Sequence, residues 1–130
     1  MRFTPTQPPR TFKVGLQLPT QLTDCGAIRL APEEQVTFLT DNGAEYDVAR
    51  KAWGFYATPS LNGRLASFGL RAVLVKSPSA KFYLLLVECG KETACQAYLD
   101  AERHTIVCWL DSDEALARFE RAAAAVGVTP

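Results

Sequence analysis

Leu70–Val75 and Phe82–Val87 are apolar on both faces, with Ser77-Pro78-Ser79 between them. A strand with one wet face alternates, whereas a strand covered on both sides reads as a continuous apolar run. The pattern predicts a pair of central strands joined by a tight turn, with helices to cover them. Lys91–Arg103 supplies one helix, with Ala94, Ala97, Tyr98 and Ala101 as a small-residue face toward the sheet. Thr105–Leu110 reads as another strand. If it runs parallel to Phe82–Val87, the crossover between them is right-handed. Asp111 and Glu114 make a capping box for a last helix, whose stripe is Ala115, Leu116, Phe119, Ala123 and Val126. Gly127 ends that helix, and Val128–Pro130 should fray.

The first half is more punctuated. Residues 1–10 carry Pro5, Pro8 and Pro9 and read as a disordered or extended arm. Phe12, Val14, Leu16 and Leu18 alternate along a half-buried strand that Pro19 stops. Thr20–Pro32 is mostly loop, with Ala27–Leu30 as a short extended piece. Gln35–Ala49 is a hairpin around Asp41-Asn42-Gly43. A two-residue turn would set Phe38 opposite Asp47 and mix the faces. A three-residue turn with Gly43 at positive φ sets Val36 opposite Val48 and Phe38 opposite Tyr46, leaving Thr37, Glu45 and Asp47 on a wet face. Beyond Val48 the alternation fails, because Arg50 would join the apolar face. A bulge or strand end near Ala49–Ala52 is predicted there.

The chain of 130 residues is therefore read as α+β, with a mixed, mostly antiparallel sheet and about three helices. Residues 11–130 form one compact domain, a length that builds a core without staples. Fourteen basic and fourteen acidic residues cancel, which argues against whole-surface attraction to nucleic acid or to an anionic membrane. No apolar run is long enough to span a bilayer, and Met1–Arg10 has no signal-like segment. The expected location is the cytoplasm, where Cys25, Cys89, Cys95 and Cys108 would be free thiols, mostly buried.

Cation, aromatic and helix-start chemistry concentrate in Glu45–Leu65. Thr58 and Pro59 read as the cap and first residue of a helix carrying Leu61, Leu65 and Phe68 on one face and closed by Gly69. Free N–H groups around Ser60, Leu61 and Asn62 would then attract an anion. Arg50, Lys51 and Arg64 supply charge, Thr58, Ser60 and Asn62 polar contacts, and Trp53 and Tyr56, with Phe55 nearby, flat faces for stacking. The bland alternative is an aromatic core with a solvated cationic rim.

The run WGFYATPSLNGRL, preceded by EYDV and followed by FGLRAVLVK, resembles a family of small uncharacterised bacterial proteins. The resemblance covers about residues 34–110. It marks the segment as a defining feature and implies no catalytic role for any residue.

The reading drawn is a non-enzymatic accessory or binding domain that recognises a phosphorylated sugar or nucleotide at Arg50–Arg64, with no cofactor and no metal. Two alternatives stand beside it. One is a metal-dependent, nuclease-like enzyme using Asp47, Glu88 and Lys91. Its Glu-x-x-Lys spacing departs from the Glu-x-Lys of such nucleases, and surface charges capping a strand would look the same. Convergence of those three side chains would favour it. The other is a protein-interaction module, which would leave Trp53 or Phe55 in an exposed apolar patch. A Cys–His nucleophile from His104 and Cys95 or Cys108 is formally available, but Cys108 lies among Ile106, Val107 and Trp109 and reads as a core thiol.

Overall fold

A computed structural model of the chain describes residues 1–15 and 20–127. In chain order its elements are β1 (Arg2–Val14), β2 (Thr20–Arg29), β3 (Gln35–Leu39), β4 (Glu45–Lys51), β5 (Gly54–Ala57), α1 (Arg64–Ser67), β6 (Leu70–Lys76), β7 (Phe82–Glu88), α2 (Glu92–Ala101), β8 (Thr105–Trp109) and α3 (Asp113–Val126). The fold is α+β. Its strands divide among three sheets, β1-β2, β3-β4-β5 and β7-β6-β8, and every ladder is antiparallel.

β6 organises the core. Leu70 and Ala72 turn to one face and pack with Ala44 and Leu65. Val73 and Val75 turn to the other and pack with Val87 and Leu99. This two-faced burial is what its continuous apolar run predicts. β7 departs from the expectation of a central strand. The α2 crossover carries β8 to the far side of β6, so β7 is an edge, and Phe82, Tyr83 and Leu84 are 57%, 50% and 53% exposed. β7 and β8 are both antiparallel to β6 and thus parallel to each other.

α2 meets the sheet on a different face from the predicted one. Leu99 is fully buried and Cys95 packs beside it, while Ala94, Ala97 and Tyr98 are exposed. One leucine buries more apolar area than a stripe of alanines, so it sets the helix rotation. α3 begins one residue later than the capping box implies. Ser112 Oγ accepts the Ala115 N–H at 3.1 Å, and Asp113 and Glu114 sit in the first turn, where the helix dipole favours them. Asp111 instead holds Arg71, accepting Nε at 2.6 Å and Nη2 at 3.3 Å. Gly127 closes α3 in the left-handed conformation, as its sequence position predicts. The fraying expected of Val128–Pro130 lies outside the described residues.

The hairpin register is the one that face matching predicts. Val36 is opposite Val48, Phe38 opposite Tyr46, and Gly43 turns the loop at φ 87°. The N-terminal arm takes the extended form of the two that the sequence allows. Residues 2–14 pair with β2, and most of the expected loop Thr20–Pro32 is that second strand. The ladder breaks only between Pro5 and Arg10, where Pro8 and Pro9 have no N–H to donate. The expected strand end at Leu16–Pro19 lies outside the described residues. Among the described residues no helix is long and apolar enough to cross a membrane.

Candidate functional site

β4 ends at Lys51, within the Ala49–Ala52 window where a bulge or strand end is predicted, and it ends without a bulge. It runs in register to Lys51, turns through Ala52-Trp53 and returns as β5, with Lys51 opposite Gly54, Arg50 opposite Phe55 and Ala49 opposite Tyr56. Gly54, at φ 148°, takes a backbone shape that a side chain would oppose. Cross-strand partners share a face, so Arg50 stays on the apolar face, beside Phe55. It fits there because its guanidinium folds back onto the Lys51 carbonyl. The sequence signal for β5 was the Gly54-Phe55-Tyr56 run itself, which alternation after Val48 obscured.

The turn carries Trp53 at its tip, 73% exposed, with Phe55 at 66% and Tyr56 at 51%. These rings are not core. Phe55 and Arg50 border a cleft of about 310 Å³ with Thr4 and Ala27–Leu30. Among the described residues Arg29 and Arg50, both lining that cleft, have no ion-pair partner, in contrast to Lys51, Arg64, Arg71 and Lys91.

The second half of the predicted site is structural. No helix begins at Pro59; α1 is a single turn from Arg64 to Ser67. Ser60 is the reason: its Oγ accepts the Arg64 N–H at 2.9 Å, and its carbonyl accepts Gly63 and Leu65 N–H groups, so a turn precedes the helix. The anion cradle expected at Ser60–Asn62 is therefore not a helix N-terminus. Gly69, at φ 86°, does close α1, as predicted.

Asp47 fastens this loop to β4. It is 8% exposed rather than on a wet face, with Arg64 and the Thr58 backbone against it. Its carboxylate accepts Thr37 Oγ1 at 2.6 Å and lies 3.6 Å from Arg64 Nη2, and its carbonyl accepts the Thr58 N–H. Arg64 also lies 4.9 Å over the Phe68 ring. Lys51 pairs with Glu33 at 2.8 Å, and Asn62 donates to Asp113 at 2.9 Å. Thr58 Oγ1 is buried without a partner. Of the predicted binding residues, then, Arg50, Trp53 and Tyr56 face outward in one hairpin. Lys51, Ser60, Asn62 and Arg64 are engaged by the fold, although Lys51 and Arg64 remain partly exposed, and Thr58 is held through its backbone N–H alone.

Asp47, Glu88 and Lys91 do not form one cluster. Glu88 receives Asn42 at 3.0 Å and pairs with Lys91 at 3.1 Å, while Asp47 faces Thr37 and Arg64. Hydrogen bonds from Thr40, Asn42 and Lys91 hold the Glu88 carboxyl down at about 2. Among the described residues no three His, Cys, Asp or Glu side chains are placed to share a metal ion.

All four cysteines are free, and the expectation that most are buried fails: Cys25 and Cys89 are exposed, Cys95 and Cys108 half-buried. Cys89 follows β7 at the sheet margin, which exposes it. Burial pushes the Cys95 thiol up, and the Cys108 thiol donates to the Trp109 carbonyl at 3.0 Å. His104 lies between Tyr83 and Tyr98, at ring-centroid distances of 6.1 and 6.5 Å. No protein-family model, curated protein or solved structure matches this chain.

Proposed function

We propose that this chain is a non-enzymatic protein-recognition domain, and that its β4–β5 hairpin engages an extended, acidic segment of a partner protein. The observation that carries the reading is the outward display of Trp53 and Phe55 on a two-residue hairpin turn. Large rigid rings lose little entropy on binding and commonly anchor interfaces. Arg29 and Arg50 beside them favour carboxylates, and β5 leaves its outer edge open to an added strand. A phosphorylated sugar or nucleotide fits less well, since most of the polar groups that would have held phosphate are engaged internally. The domain is placed in the cytoplasm, a reducing setting that suits free thiols.

The test is selection from a random displayed-peptide library, followed by titration of the selected peptides. Acidic peptides with aromatic or aliphatic anchors should bind the wild type and lose at least tenfold affinity to Trp53→Ala and Phe55→Ala at unchanged denaturation midpoints. Salt should weaken them further, because exposed charges act over about 10 Å at 0.1 M. Failure to select any peptide, or selection indifferent to both variants, overturns the reading. Saturable binding of nucleotides or sugar phosphates instead would restore the small-molecule alternative.

A further inference from the structure

The β1–β2 ladder places its basic residues in two different settings. Arg10 stands directly opposite Asp24 and pairs with it at 3.1 Å. Arg2 stands directly opposite Arg29. Cross-strand partners hold their Cβ atoms about 5 Å apart on one face, and like charges placed so repel each other. Thr4 and Ala27, the next pair along that face, line the cleft of about 310 Å³ together with Arg29, Arg50 and Phe55. Alternation along β1 puts Arg2 on the same face as Thr4. Three arginines, from β1, β2 and β4, therefore gather at one cleft.

The neighbouring carboxylates do not neutralise them. Glu33 and Glu34 lie against Arg50 through the backbone: the Glu33 N–H donates to the Arg50 carbonyl at 2.7 Å, and the Arg50 N–H to the Glu34 carbonyl at 2.8 Å. Their side chains turn to other donors. Glu33 takes the Lys51 ammonium at 2.8 Å, and Glu34 takes the Ala31 N–H at 2.8 Å and the Met1 ammonium at 3.0 Å. Arg50 gives one side-chain N–H to the Lys51 carbonyl and has four more. Among the described residues no carboxylate lies within ion-pair distance of Arg2, Arg29 or Arg50.

We infer that this cleft takes a phosphoryl group, carried on a phosphorylated serine or threonine of the acidic segment; the inference rests on the recognition role proposed for the β4–β5 hairpin. Charge selects the group. A carboxylate brings one negative charge and answers one guanidinium in a bidentate pair. A phosphate monoester brings nearly two charges and three strong acceptor oxygens, which several arginines can share. Arginine clusters of this kind are a recurring means of reading phosphorylated motifs. Topology selects the carrier. A strand added to the open edge of β5 sets one of its residues opposite Phe55, and cross-strand partners share a face, here the face of Phe55 and Arg50. The phosphoryl group then arrives on a short side chain of an extended backbone.

Peptides enriched from an oriented library with phosphoserine fixed at its centre test this by fluorescence anisotropy, beside the same peptides carrying serine or glutamate there. Phosphoserine should bind about tenfold or more tighter than serine, and about threefold or more tighter than glutamate. In Arg2→Gln and in Arg29→Gln the preference for phosphoserine over serine should fall below about threefold. Neither change should lower the urea midpoint, because each relieves the opposed pair. If one of the two variants does not fold, the other decides. Trp53→Ala should weaken all three peptides and leave their ratios alone. Peptides that need Trp53 but gain nothing from the phosphoryl group overturn this inference and leave the hairpin's recognition role standing. A phosphoserine preference that survives both arginine substitutions overturns the cleft as its site. Peptides that fail to bind, or that bind without regard to Trp53, overturn the recognition role and this inference with it. Saturable binding of glucose 6-phosphate or adenosine monophosphate that Arg29→Gln abolishes, with no preference among the peptides, assigns the phosphoryl group to a free small molecule and overturns the peptide carrier.

Discussion

Replacing Asp111 with alanine tests the best-defined polar contact in the molecule. Arg71 sits on the central strand β6 with its guanidinium 4.0 Å over the Trp109 ring. Asp111 accepts two of its N–H groups, at 2.6 and 3.3 Å, and Glu92 accepts a third at 3.3 Å. The Asp111 side chain is 13% exposed and that of Arg71 32%. Hydrogen bonds between charged groups contribute about 1.5–3 kcal/mol each when buried. Here water reaches a third of Arg71 and Glu92 remains, so the loss should be about 2 kcal/mol in total. Ser112→Ala removes only the α3 cap and should cost about 1 kcal/mol. Urea denaturation at pH 7 with constant m-value reads both. A cycle with Arg71→Met should return a coupling of about 1 kcal/mol or more between positions 71 and 111. Equal costs for Asp111→Ala and Ser112→Ala, with no coupling to Arg71, would show that Asp111 acts only through the helix start and that the contact is inert.

Two further outcomes follow from the core and from the carboxylates. Leu65→Ala empties a fully buried site between Ala44, Leu70 and Ala72 and should cost about 3 kcal/mol, against less than about 1 for the half-exposed Phe119→Ala; similar midpoint shifts would refute the core assignment. Glu34, Glu88 and Glu92 are all held below their ordinary 4.5, Glu88 at about 2. The unfolded chain then binds more protons, so the stability they contribute is complete above about pH 4.5 and is lost as pH falls toward 2. Glu88→Gln should flatten that part of the urea-midpoint profile, and an unchanged slope would refute it.

Where one local rule dominated, the sequence was enough to specify structure. Gly43 could supply the positive φ of a three-residue turn, and face matching then left one register for Val36 and Phe38. The two-sided apolar run of β6 likewise had one meaning. Strand order was not legible, because the same run fits a central strand or a hydrophobic edge. β7 reads like β6 and differs only in which side β8 chose. The proline-rich start left its pairing open for a related reason. Proline forbids a ladder bond only at its own position, and a bulge between Pro5 and Arg10 leaves the rest of β1 free to pair.

The candidate site was half legible for a physical reason that distinguishes its two parts. Composition marked Trp53, Tyr56 and Arg50, and those residues do share an exposed hairpin. Composition cannot reveal which polar groups the fold consumes. Thr58-Pro59-Ser60 has every feature of a helix start, yet the Ser60 side chain caps Arg64 four residues later, and Asp47 draws Arg64 inward. A serine can cap a nearby turn as readily as a helix, and only the position of Asp47 across the β3–β4 hairpin settles which it does. Once Arg64 is held there, the cations left without carboxylate partners beside the exposed rings are Arg29 and Arg50. Arg29 lies outside the segment that composition singled out, and it reaches Arg50 only because β2 is a strand rather than a loop. The proposed recognition surface thus depends on the N-terminal hairpin as much as on the aromatic turn.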